Sequence, residues 1–115
     1  MTANGETAGV DADGRRPLRR ATTILGKKWH PLLIQTLLAE ESLGFNDIKA
    51  EIGGISDKVL SESLADLQDA GLIVRDIVEE QPVRVNYSLT PAGRELEPII
   101  EGLERWSQTH LADAS

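Results

Sequence analysis

Between Phe45 and Gly71, two runs of apolar residues at helical spacing are separated only by Gly53-Gly54-Ile55-Ser56, a link that forces them to pack as neighbours. Phe45, Ile48 and Ile52 fall on one side of the first run, and Val59, Leu60, Leu64 and Leu67 on one side of the second. The paired glycines mark a turn. Ser56 is a good N-cap for the second helix, Asp57 suits its first turn, and Gly71 supplies its stop. Two helices joined by a tight glycine-containing turn make a helix-turn-helix.

The flanking segments complete a fold. A short helix is predicted over Pro17 to Leu25, with Leu18, Ala21, Ile24 and Leu25 on one face and Gly26 ending it. Pro31 opens another helix, carrying Leu33, Ile34, Leu37 and Leu38 to about Glu40. After Gly71 the period changes. Leu72 to Val78 is β-rich, Glu79-Glu80-Gln81-Pro82 reads as a turn, and Val83, Val85, Tyr87 and Leu89 alternate with Arg84, Asn86 and Ser88. Thr90-Pro91 caps a long last helix with Leu96, Ile99, Ile100, Leu103, Trp106 and Leu111 at helical spacing, kinked at Pro98. The expected fold is mainly α with a small β-hairpin: a winged helix-turn-helix over residues 15–112, after a disordered acidic tail at residues 1–14.

Aromatic residues make up 3% of the chain, so its core rests on Leu, Ile and Val. Cysteine is absent from the 115 residues, which excludes disulfides, thiolate metal sites and thiol catalysis. No stretch approaches the ~18 consecutive apolar residues of a membrane span, and no signal-peptide run is present, so a cytoplasmic protein is expected. The net charge of −7 opposes a polyanionic partner on its face. Its distribution matters more: residues 15–58 hold eight Lys/Arg against five Asp/Glu, whereas residues 59–115 hold four against eleven. A high-salt cytoplasm suits such an acidic chain, with four Lys among its twelve basic residues.

Several stretches narrow the fold to a family. They are Leu25-Gly26-Lys27-Lys28-Trp29, Phe45-Asn46-Asp47-Ile48, Gly54-Ile55-Ser56-Asp57-Lys58-Val59-Leu60 and Pro82-Val83-Arg84-Val85-Asn86-Tyr87-Ser88-Leu89-Thr90-Pro91-Ala92-Gly93, with Trp106 in the last helix. Over about residues 16–111 the chain resembles the HxlR family of bacterial and archaeal transcriptional regulators. The resemblance implies a homodimer held by its first and last helices, which makes Leu18, Trp29, Ile99, Leu103 and Trp106 its candidate interface. It also implies double-stranded DNA as partner, through a palindromic operator. Two positions depart from the pattern. Arg16 stands where many relatives have a cysteine, so thiol-based sensing does not carry over, and Gly44 stands where a basic, phosphate-contacting residue is usual.

In a helix-turn-helix the second helix enters the major groove, and its leading residues meet base edges. Ser56, Asp57, Lys58, Ser61 and Glu62 are therefore the candidate readers. Ser56 has a competing role as a cap, and Glu62 as a solvated surface charge. Asn46 and Lys49, on the preceding helix, are candidate phosphate contacts; Lys27 and Lys28 serve equally as helix-end charges. Arg84 is the candidate wing contact, with a cross-strand pairing to Glu79 or Asp76 as its other reading.

An enzyme is not expected, and no cofactor or metal is. His30 and His110 lack a ligand spacing, and Gly53-Gly54 lacks a phosphate-loop pattern. Two alternatives to a sequence-specific regulator remain open: a winged helix used for protein–protein contact, which the net acidity favours, and a general DNA-coating protein.

Overall fold

A computed structural model describes residues 14–111; the acidic tail expected at residues 1–14 lies, Gly14 apart, outside them. The elements run α1 (Arg16–Leu25), α2 (His30–Ala39), β1 (Leu43–Gly44), α3 (Phe45–Ile52), α4 (Asp57–Asp69), β2 (Ile73–Glu80), β3 (Val83–Leu89), α5 (Pro91–Arg94) and α6 (Glu97–His110).

The helical stripes read from the sequence supply the core. Leu33, Ile34 and Leu37 of α2 meet Ile48 of α3, Leu60, Leu64 and Leu67 of α4, Ile73 and Leu89 at the sheet base and Ile100 of α6, all buried. Each fully buried aliphatic side chain of this kind contributes about 1.5–3 kcal/mol. Ile55 fills the same core from the turn between α3 and α4. Gly53 and Gly54, with φ of 71° and 72°, let the chain reverse there, in a region that costs side-chain-bearing residues energy.

The hairpin is joined by a third strand. Leu43 pairs with Tyr87 and Gly44 with Asn86, giving an antiparallel sheet in the order β1-β3-β2. β2 runs to Glu80, so the turn shrinks to Gln81 and Pro82. The alternation in β3 sorts buried from exposed residues only near Leu89; towards Val83 both faces meet solvent, because the hairpin extends past the body.

The single kinked last helix is instead two. α5 ends at Arg94 and α6 starts at Glu97, with Pro98 in its first turn. A proline lacks the N–H that a helix interior requires but a first turn does not, so the break moves upstream of Pro98. Thr90 secures this corner. Its hydroxyl accepts from the N–H of Gly93 at 3.1 Å and donates to the carbonyl of Gly71 at 2.7 Å.

Candidate nucleic-acid interface

The leading turn of α4 is open to solvent. Ser56 accepts the N–H of Val59 at 3.1 Å, the expected cap, while Lys58, Ser61 and Glu62 project outward one turn apart. The opposite side of the helix, Leu60, Ser63, Leu64 and Leu67, is buried. Among the described residues Lys58 has no ion-pair partner.

Other candidates are drawn together in pairs. Lys49, in the last turn of α3, holds Asp57 with Nζ to Oδ1 at 2.6 Å. Arg84 and Glu79 face each other across the hairpin, and their side chains approach to 3.6 Å. The cross-strand pairing of Arg84 is thus present in the molecule. Asn46, exposed at the start of α3, lines one cleft with Arg84, Val85 and Asn86, so the first helix of the motif and the wing share a surface. Asn86 also donates to the hydroxyl of Ser42 at 3.2 Å.

Lys27 and Lys28 are engaged within the fold. Lys27 Nζ lies 3.5 Å from Asp66 of α4, and Lys28 Nζ lies 4.7 Å from the Trp29 ring centroid. Trp29 itself is half-buried against the core. The other interface candidates face outward: Leu18 is 69% exposed, and Ile99, Leu103 and Trp106 lie between 50% and 56%. α1 buries none of its residues. Trp106 stacks at an angle on His110, with ring centroids 5.4 Å apart.

Sequence reasoning missed His30. It is a buried joint, hydrogen-bonded to Ile24 and directed towards Asp66. Nothing local marks it, since Asp66 lies a full helix-turn-helix away in the chain. Gln35 of α2 donating to Glu104 of α6 was equally illegible. No group of three His, Cys, Asp or Glu among the described residues is arranged to hold a metal ion, and no helix among them is long and apolar enough to cross a membrane.

The family model for the HxlR-like helix-turn-helix matches residues 24–115. The uncharacterized HTH-type transcriptional regulator YvaP of Bacillus subtilis is 40% identical over 88 residues, which is 76% of this chain and 81% of YvaP. The HTH-type transcriptional regulator YodB of the same organism is 32% identical over 90 residues, 78% of this chain and 80% of its own length. Among solved structures, a putative MarR-family transcriptional regulator from Porphyromonas gingivalis W83 superposes with a TM-score of 0.78 at 33% identity, covering 87% of this chain and 97% of that one.

Proposed function

The chain belongs to the HxlR-like helix-turn-helix family, and from that premise we propose that it is a cytoplasmic, sequence-specific regulator of transcription that binds duplex DNA as a homodimer. The observation that carries the reading is the uncovered leading turn of α4, capped by Ser56 and presenting Lys58, Ser61 and Glu62 together. A helix that buries one side in the core and leaves this end free suits insertion into the major groove. Lys58 is the candidate for guanine acceptors or a phosphate, Ser61 for either a donor or an acceptor, and Glu62 for a cytosine amino group. Asn46 and Arg84 flank them towards the neighbouring backbone.

The homodimer rests on α1 and α6. A ten-residue helix is marginal in water by itself, and α1 has no buried residue in the single chain. Leu18, Ile99, Leu103 and Trp106 supply apolar surface for an isologous contact, which in turn demands a palindromic site with half-sites roughly 34 Å apart or a multiple of it. The winged helix-turn-helix unit expected over residues 15–112 is proposed to act without a cofactor, and no catalytic role is assigned to it. The net charge of −7 suits a cytoplasm rich in salt.

Selection of binding sites from fragmented genomic DNA at two salt concentrations tests this reading. Recovery of short, defined palindromes supports it. Uniform coverage indicates a general coating protein, and no enrichment at either concentration indicates a module for protein contact; either result overturns it.

A further inference from the structure

Resting on the reading of α4 as the helix that meets DNA, we propose that Lys49 acts by masking Asp57 and holding the head of α4, and not by contacting a phosphate. The geometry is specific. The Nζ of Lys49 lies 2.6 Å from Oδ1 of Asp57, across the turn that joins the two helices of the motif. Lys49 also takes part in capping the end of α3, its carbonyl accepting the N–H of Gly53 at 2.9 Å. One residue therefore closes the first helix through its backbone and grips the second through its side chain.

Each charge suits its own helix. Asp57 sits in the first turn of α4 and Lys49 in the last turn of α3, where the helix dipoles favour an acid and a base respectively. The pair is nevertheless exposed, at 42% and 71% of the two side chains, and such pairs contribute little to folding. Its consequence lies in the field at the end of α4. That end has to approach phosphates, and an uncompensated carboxylate there repels them. Lys49 offsets that charge, so Asp57 does not add to the repulsion of phosphates by Glu62, and Lys58 keeps its charge free of any ion pair among the described residues. Were Lys49 to swing to a phosphate, it would leave Asp57 bare, and the repulsion of that carboxylate would offset the new attraction.

Two models follow for Lys49, and a double-mutant cycle on the full chain separates them. Fluorescence anisotropy would follow binding to a random-sequence duplex of about 30 bp, long enough for two half-sites, over a series of salt concentrations. On the masking model Lys49→Gln weakens binding about 5- to 10-fold at low salt, an effect that screening reduces. Asp57→Asn binds at least as tightly as the native chain. The Lys49→Gln/Asp57→Asn double variant returns to within about twofold of Asp57→Asn with the same salt slope, because the lysine has nothing left to mask. Lys49→Arg, which can hold the same carboxylate, keeps native affinity. A double variant as weak as Lys49→Gln alone, with a slope lower by about 0.9 for each lysine lost, makes Lys49 a phosphate contact and overturns the inference. A native chain without affinity for any duplex defeats the DNA-binding reading itself, and this inference with it.

Discussion

From a site where 2% of its surface meets solvent, His30 donates its Nδ1 proton to the carbonyl oxygen of Ile24, 2.6 Å away. A carbonyl only accepts, so Nδ1 bears a proton in this contact. The opposite nitrogen, Nε2, lies 3.6 Å from Oδ2 of Asp66, an oxygen that Lys27 Nζ also approaches at 3.5 Å. Three helices meet at this imidazole: α1 through a carbonyl near its end, α2 through its first residue, and α4 through Asp66.

Replacing His30 with Ala removes a buried hydrogen bond and leaves a void. The expected loss is about 2–4 kcal/mol of unfolding free energy, read as a lower urea midpoint at unchanged slope. An unaltered midpoint would show that neither the bond nor the packing matters.

Gly93 is buried where α5 passes the backbone of Leu72, whose carbonyl accepts the N–H of Thr90 at 3.0 Å. A Cβ at Gly93 would overlap that same carbonyl oxygen. Gly93→Ala should therefore cost about 1–3 kcal/mol, seen as a lower melting temperature. Native stability would mean that the corner has room to move.

Lys58 and Arg84 should behave differently on DNA. Lys58 is unpaired among the described residues, whereas Arg84 has Glu79 within 3.6 Å. Lys58→Ala is expected to weaken binding and to lower the salt slope by about 1 per subunit. Arg84→Ala should do less, because the cation it removes is already shared with Glu79. Equal losses would place Arg84 directly on the duplex.

Trp106 offers 56% of its surface to solvent in the single chain. Trp106→Ala should move the protein towards monomer in sedimentation velocity, and Leu18→Glu should do so more strongly by placing a charge in an apolar contact. Dimers of undiminished strength in both variants would remove α1 and α6 from the interface.

The acidic composition predicts a salt requirement. Mutual repulsion among the surface carboxylates should lower stability in dilute buffer and be relieved in molar potassium chloride. Full stability at low salt would detach the net charge of −7 from any high-salt habitat.

What could be read in advance was whatever the chain encodes locally. Ser56 and Thr90 are caps whose acceptors and donors lie three residues apart, so the starts of α4 and α5 were visible in the sequence. α3 was bounded by its own apolar spacing and the glycines after it. β1 was not visible, because two residues have no period, and Leu43 and Gly44 become a strand only when Tyr87 and Asn86 arrive beside them. The expected kink at Pro98 inside one helix is replaced by a break ahead of it, with Pro98 in the first turn of α6, because the residue at which the chain yields depends on the packing around α5 and α6. At the site, the exposed face of α4 followed from its apolar stripe. The sequence already offered Glu79 or Asp76 as partners for Arg84, and the strand register selects Glu79; the partnerships of Lys49 and His30 needed the folded turn and the assembled core respectively.

The pairing of β2 with β3 shifts register between Ile77, opposite Val85, and Glu79, opposite Arg84, and this shift bears on how crowded copies of this protein behave. β2 is one of the two edge strands of the sheet, and an edge strand with free backbone groups invites another to add alongside and start a fibril. Skipping Val78 bends that strand out of step with any straight template, and Glu79 and Glu80 charge the bent portion. The wing can thus carry exposed Ile77, Val78 and Val83 near its tip without becoming a seed for cross-β stacking.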